Sequence, residues 1–397
     1  MEVKAQLYNA FAQNRKALLL AGVGVAAVGL GLGYKYLRQK PETLVRVGVV
    51  SQLLVHPLKS GRAVSVALAE CQKKGLKFGE LQDRHWMVTM DDGHMVTGRQ
   101  QPRLVLVSLT CEGSQVCLNG PNMEQLMFPL KQPDNRVVSC RVFGTDIHGL
   151  DCGDEASEWL TRYLGGNKTF RLVHHEPEMK GRRPPEGPFP DDEVVAYSDV
   201  APVMLLSEAS VQDLSSKLDN GVKVNRFRPN IVVSDCEAFA EDSWKELQIG
   251  SVRLQRVMSC GRCIFTTVDP ETGITSRKEP LQTLKSYRQC VPSEKQLYKS
   301  DPLFGQLLTV ERTGILQSLP CGKKPSGSDR ETTLDIVQQD TVQRPPHCRT
   351  LRVLSTFVCT WDRKDSVKNV HYGRVKHLGR TFGKSFISKS DNILDFY

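Results

Sequence analysis

The sequence predicts an α+β chain that is mostly β: two packed β-rich units, preceded by one N-terminal membrane-anchor helix. Three observations predict it. Short β-branched runs recur from residue 45 onward, bounded by Gly, Pro, Asn and Asp. Helical periodicity is confined to three short stretches. Residues 17–33 form an uncharged run between basic residues.

That run spans about 25 Å as a helix, the short end for a membrane span. Arg15 and Lys16 precede it; Lys35, Arg38 and Lys40 follow. Five glycines weaken it as a soluble helix but are tolerated in lipid. A signal peptide cut near Gly31 and Gly33 is the competing reading. The late start and the basic residues on both sides favour a signal anchor over 17–34, behind a short tail of residues 1–16. The ending Asp395-Phe396-Tyr397 is not a peroxisomal tripeptide.

Past Lys40-Pro41-Glu42 the elements follow in order. Val45–Leu54, ending at His56-Pro57, and Val64–Leu68 are β-branched runs. Trp86–Met90 and Met95–Thr97 flank Asp91-Asp92-Gly93 and read as a hairpin. Leu104–Thr110, Val137–Phe143 and Phe170–His174 continue the strands. Ala156–Leu164 reads as a helix with Trp159, Leu160 and Leu164 on one face. The prolines of Arg182-Arg183-Pro184-Pro185 mark a boundary. Beyond it Ser207 N-caps a helix to about Leu218. Strands fall at Asn230–Val233 and Ser251–Val257, and Pro280–Cys290 reads as a helix. These place one β-rich unit at 45–175 and a second at 178–320. Residues 321–397 read as a mostly disordered tail, with Leu351–Val358 its only strand-like run.

The net charge is +9, and from Leu307 onward 15 Lys and Arg stand against 9 Asp and Glu, so this last quarter carries +6 of it. The near-neutral body argues against a nucleic-acid face. Twelve cysteines show no disulfide framework in so large a chain and read as reduced thiols. No glycine-rich phosphate loop occurs, so ATP and nicotinamide enzymes are not supported.

Cys263 carries the sharpest chemical signal. It ends the run Val252–Val257 in Cys260-Gly261-Arg262-Cys263, and a thiol beside an Arg is a candidate thiolate. Zinc binding lacks a second pair of ligands nearby, and a redox dithiol lacks a βαβ setting. A single soft ligand to a metal held by another molecule, and a structural thiol, both stay open. Lys59-Ser60, Arg84 and Arg228 are scattered anion-binding candidates: Arg through its fork, Lys as a point charge, Ser through its hydroxyl. Asp199 is a lone acid, either a turn residue or a carboxylate near a reacting centre.

Taken together, His56-Pro57-Leu58-Lys59-Ser60, Asp83-Arg84, Thr97-Gly98-Arg99-Gln100, Phe227-Arg228-Pro229-Asn230 and Arg262-Cys263-Ile264 resemble a MOSC-domain protein. Thr266-Thr267-Val268-Asp269-Pro270, Ser276-Arg277-Lys278-Glu279-Pro280-Leu281 and Leu284-Lys285-Ser286-Tyr287-Arg288 are similar to the mitochondrial amidoxime-reducing component family. The resemblance runs from the N-terminal anchor to about Gln306. It implies a MOSC-type β-barrel packed on a MOSC N-terminal-like β-rich domain. It implies a molybdenum–molybdopterin cofactor with Cys263 as the metal ligand. Lys59, Ser60, Arg84, Val200, Ala201, Arg228, Gly261 and Arg262 would hold or line that cofactor, and Asp199 would stand close to the metal. The implied reaction is reduction of N-hydroxylated compounds, with electrons from NADH through cytochrome b5 reductase and cytochrome b5. The implied place is the mitochondrial outer membrane, facing the cytosol, with the peroxisome as a minor site. A MOSC-type carrier of the cofactor or of sulfur, without reductase activity, is the alternative. The family's usual ending, a final strand with Val-Gly-Asp-Pro-Val-Tyr, is missing here. An unpaired barrel edge is therefore expected.

Overall fold

The computed structural model describes residues 43–184, 187–319 and 332–338. The anchor expected at 17–34, the tail before it and the run at 351–358 lie outside these residues. Among the described residues no helix is long and apolar enough to cross a membrane.

The first half is built of short strands: β1 (Thr43–Val55), β2 (Val64–Val66), β3 (Leu68–Gln72), β4 (Gly75–Phe78), β5 (Leu81–Gln82), β6 (Trp86–Met90), β7 (Met95–Val96), β8 (Ser108–Glu112), β9 (Gln115–Asn119), β10 (Leu126–Pro129), β11 (Val137–Val142) and β12 (Thr145–Asp151). Helix α1 (Asp154–Leu164) and β13 (Phe170–His174) close it. The second half holds β14 (Val203–Ser207), α2 (Glu208–Ser215), β15 (Ile231–Ser234), β16 (Glu246–Ile249), β17 (Val252–Gly261), α3 (Leu281–Tyr287), α4 (Lys295–Tyr298), β18 (Leu303–Arg312), β19 (Gly314–Gln317) and β20 (Thr333–Gln338).

Seven strands form a closed barrel in the order β15-β14-β18-β17-β16-β20-β1, with β1 pairing back onto β15. All pairs are antiparallel except β14 with β15, and α2 supplies the crossover that a parallel pair needs. Leu53, Leu205, Ile231, Leu247, Leu254, Leu308 and Leu334 fill its core. The first half contributes β1 to this barrel, and β19 of the second half pairs with β3. The boundary drawn between 175 and 178 is thus crossed by strands in both directions.

The expected open edge is corrected. β20 sits between β1 and β16 and bonds to both, with Leu334 fully buried. The chain leaves and re-enters the sheet at one residue: the Leu319 N–H donates to the Val50 carbonyl and the Val50 N–H to the Thr332 carbonyl, both at 2.9 Å. The strand escapes sequence reading because it is six residues long and carries Asp335 and Gln338. Apart from β20 and the preceding Thr332, the tail expected at 321–397 lies outside the described residues.

The remaining strands form a five-stranded sheet, β11-β12-β13-β6-β7, a four-stranded one, β19-β3-β4-β5, and a three-stranded one, β10-β9-β8; β2 pairs with β1. Helix α1 buries Ala156, Trp159, Leu160, Tyr163 and Leu164, the spacing of one helical face, and ends at Gly165 in the left-handed conformation (φ 117°). The strand expected at Leu104–Thr110 begins only at Ser108. Pro102 initiates a 3-10 turn over Pro102–Leu106 instead. Ser207 caps α2 as expected, its side chain accepting from the Ser210 N–H.

Candidate functional site

Three loops bring the expected residues together. The segment after β1, the turn before β6 and the stretch before β14 are stitched by backbone hydrogen bonds. The Lys59 N–H reaches the Trp86 carbonyl at 2.7 Å, Arg84 N–H the His56 carbonyl at 2.7 Å, and Tyr197 N–H the Arg84 carbonyl at 3.1 Å. Ser60, Arg84 and Arg228 all adopt left-handed backbones, with φ of 64°, 51° and 55°. Such a conformation costs an L-residue about 1–2 kcal/mol, and strain of this kind collects at functional sites.

Buried Asp83 anchors the cluster. It accepts from the His56 N–H at 2.7 Å, from Asn230 Nδ2 at 2.9 Å and from the Arg84 guanidinium. Arg84 Nη2 donates to the Arg228 carbonyl at 3.0 Å, fixing the second Arg. Arg228 Nη1 donates to the Gly61 carbonyl at 2.6 Å, while its Nη2 is buried without a partner. Burial, and then the Arg84 charge beside it, push the Arg228 guanidinium down to about 9. A guanidinium nonetheless keeps its proton in a protein. The site therefore holds a desolvated cation short of one acceptor, and an anionic group would supply it.

Lys59 Nζ donates to the Tyr197 carbonyl at 2.8 Å and pairs with the Asp199 carboxylate. Burial pushes Lys59 down to about 8, against the pull of Asp199. Partial desolvation by the neighbouring loops works upward on the Asp199 carboxyl, but the Lys59 ammonium outweighs it and holds the group at about 2, so it is ionised at neutral pH. The side chain of Asp199 is 63% exposed and that of Lys59 4%, so the pair opens to solvent on its acidic side.

Cys263 follows β17, whose pairing with β18 shifts register three times, the last between Ser259 and Gly261. Such bulges bend a strand and re-aim the side chains beyond them. Cys263 is half-buried, and its carbonyl accepts from the Thr266 N–H at 3.1 Å and the Thr266 hydroxyl at 2.9 Å. The turn Ile264–Thr267 packs on Val224–Phe227, just before Arg228. Phe265 lies 5.8 Å from the Arg228 guanidinium. Gly98 backs onto the same ring, where a Cβ would fall 2.2 Å from a ring carbon; this brings the Thr97-Gly98-Arg99 string to the site. Arg262 is turned inward, donating to the Phe304 carbonyl at 2.7 Å and the Phe227 carbonyl at 3.0 Å. Gly261 pairs with Leu303, and half-buried Val200 and Ala201 pack with Met204, Phe304 and Cys260.

Sequence reading missed three residues here. Arg182 Nη2 donates to the carbonyls of Ser198 and Asp199, the latter at 2.9 Å, and its Nε is buried without a partner. Its only signal was a pair of arginines before prolines. Asn230 joins Asp83 to Arg84, and Phe143 reaches in from the β11–β12 hairpin, 5.1 Å from Lys59 Nζ. Among the described residues no group of three or more His, Cys, Asp or Glu side chains could hold a metal. A metal at Cys263 would take its remaining ligands from a bound molecule. The excess of cations, the orphaned Arg228 Nη2 and half-buried Cys263 fit an anionic, metal-bearing group.

Comparison with known proteins agrees with this layout. Residues 47–167 match the MOSC N-terminal beta barrel domain and residues 192–318 the MOSC domain. The chain is 61% identical over 319 residues to mitochondrial amidoxime-reducing component 1 of Danio rerio, covering 80% of this chain and 97% of that protein. It is 49% identical over 314 residues to the Homo sapiens component 1 (77% and 93%). It is 50% identical over 306 residues to the Rattus norvegicus component 2 (75% and 90%). With relatives this similar matched over most of their length, the chain belongs to the mitochondrial amidoxime-reducing component family of MOSC-domain proteins.

Proposed function

We propose that the chain is a membrane-anchored molybdoenzyme that reduces N-hydroxylated compounds (amidoximes, hydroxylamines and N-oxides) to amidines and amines. One observation carries it: half-buried Cys263 leads into a turn packed on the segment before Arg228, whose Nη2 is buried and unpaired. For an amidoxime, two electrons and two protons convert the C=N–OH group to an amidine and water. The bound molybdenum–molybdopterin supplies the redox-active, oxygen-accepting centre.

The residues divide the remaining work. Cys263 provides the protein's thiolate ligand, suited to a soft centre. Lys59, Ser60, Arg84 and Arg228 hold the anionic pterin phosphate. Val200, Ala201, Gly261 and Arg262 line it; the first three offer only backbone groups. Asp199, ionised at neutral pH, orients the substrate and is suited to an amidinium product. Lys59, pushed down to about 8, holds a proton one hydrogen bond away. Electrons come from NADH through cytochrome b5 reductase and cytochrome b5. An anchor at 17–34 on the mitochondrial outer membrane, with the barrel facing the cytosol, would concentrate all three on one surface. A peroxisomal pool is a minor site.

The test reconstitutes the full chain in detergent with both partners and follows NADH oxidation on benzamidoxime. Molybdenum is measured by elemental analysis. We expect one metal per chain at most and turnover that Cys263→Ala abolishes. Full turnover by that variant would sink the reading; metal-loaded but inactive wild-type chain would favour the carrier.

A further inference from the structure

We propose that Phe143 forms an aromatic wall of this site and selects flat, π-bearing N-hydroxylated substrates over aliphatic ones. The inference rests on the proposed reductase reading and goes beyond it to substrate class.

Phe143 and Gly144 are the two-residue turn between Val142 and Thr145, which pair with each other. Both have positive φ, 48° and 79°. A turn of that kind favours Asn, Asp or Gly at its first position, and a bulky aromatic there is an outlier. Despite this strain the ring is not sealed in the core, since Phe143 remains 36% exposed. It lies instead beside two cations, 5.1 Å from Lys59 Nζ and 5.5 Å from the Arg99 guanidinium carbon. Contacts of that kind orient an aromatic ring. Lys59 is the residue paired with Asp199, so the ring is one side chain removed from the carboxylate. Asp199 and Phe143 are both open to solvent, on either side of Lys59 in the chain of contacts. Four of the nine non-glycine residues with positive φ among the described residues (Ser60, Arg84, Phe143 and Arg228) surround this one site. An aryl ring entering here meets a fixed aromatic partner, and an amidinium product meets a π face. An aliphatic amidoxime has no ring to stack and gains only the contact of its amidinium product.

Calorimetric binding of benzamidoxime and acetamidoxime to the cofactor-loaded full chain tests this without turnover. We expect wild type to prefer the aromatic ligand by about five- to tenfold. Phe143→Asn, which suits the turn, should bring the two affinities within about twofold by weakening benzamidoxime alone, with no fall in thermal midpoint. Phe143→Trp should keep the preference. An equal preference in wild type and Phe143→Asn overturns the inference, as does equal weakening of both ligands. A chain that reduces both compounds without a preference overturns this inference alone; one that shows the preference yet reduces neither sinks the reductase reading and leaves only an aromatic ligand wall.

Discussion

At the scale of single residues, the site is a set of cations held largely out of water, beside one exposed carboxylate. Arg228 shows it best. Its fork makes one strong bond, to Gly61, and leaves one nitrogen unpaired in a buried place. A charge-assisted hydrogen bond is worth about 1.5–3 kcal/mol. Arg228→Met should therefore weaken cofactor retention by about tenfold or more, read as molybdenum content after gel filtration, while the folded chain survives. Lys59 gives a pH signature. Its value of about 8 lies below the ordinary 10.5, so it is charged in folded and unfolded chain alike below pH 8. Between about 8 and 10.5 the unfolded chain binds the extra proton, and by linkage the cofactor-free protein gains stability as pH rises. Retention of an anionic cofactor should move the other way, falling as the ammonium discharges through pH 8. Equilibrium unfolding of the stripped chain and metal retention of the loaded chain, both across pH 7–10, separate the two trends. The candidate site was largely legible at this scale: Cys263, Lys59, Ser60, Arg84, Arg228 and Asp199 all stood in recognisable short strings. Arg182, Asn230 and Phe143 escaped notice as individual site residues because a hydrogen bond across 16 residues or a ring beside a distant lysine leaves no mark on local pattern.

At the scale of elements, two strands decide the architecture. β17 carries the chain to Cys263 through three register shifts, so the thiol's position depends on bulges rather than on a regular strand. β20 completes the barrel from a part of the chain with little strand signal. Leu334 is fully buried between Gly48 of β1 and Ile249 of β16. Leu334→Asp places a carboxylate in that core and should cost about 3 kcal/mol or more, read by denaturant unfolding. Stopping the chain at Leu319 should expose the facing amides of β1 and β16 to hydrogen exchange while β14 and β15 stay protected. Uniform protection in the shortened chain would show that β20 does not bear on closure. Strand identity was readable where β-branched, aromatic and other apolar residues cluster, as in β1, β6 and β13. It was readable only in part in β8, and not in β3–β5, β9 and β10, where strands of two to five residues lie between turns.

For the molecule as a whole, stability runs through a buried histidine group beside the site. His85 and His175 have ring centroids 5.7 Å apart, and His174 stacks on Trp86 at 4.1 Å. Burial pushes His85 down to about 3 and His174 and His175 to about 4, from an ordinary 6.5. The unfolded chain therefore binds more protons below pH 6.5, and stability should fall steadily between pH 6.5 and 4, by several kcal/mol in order of magnitude. Urea unfolding at pH 7 and pH 5 checks this; an equal midpoint at both would refute it. By itself the sequence determined a β-rich class, the MOSC-type family and a set of candidate site residues, because turn residues, apolar alternation and ligand strings are local properties. Only the tertiary structure decided that β1 belongs to the barrel, that β20 closes it, and that Phe143 and Arg182 stand at the site. Those outcomes rest on pairings between residues far apart in the chain, such as Val45 with Ile336, and no local pattern specifies which distant edge a strand will meet.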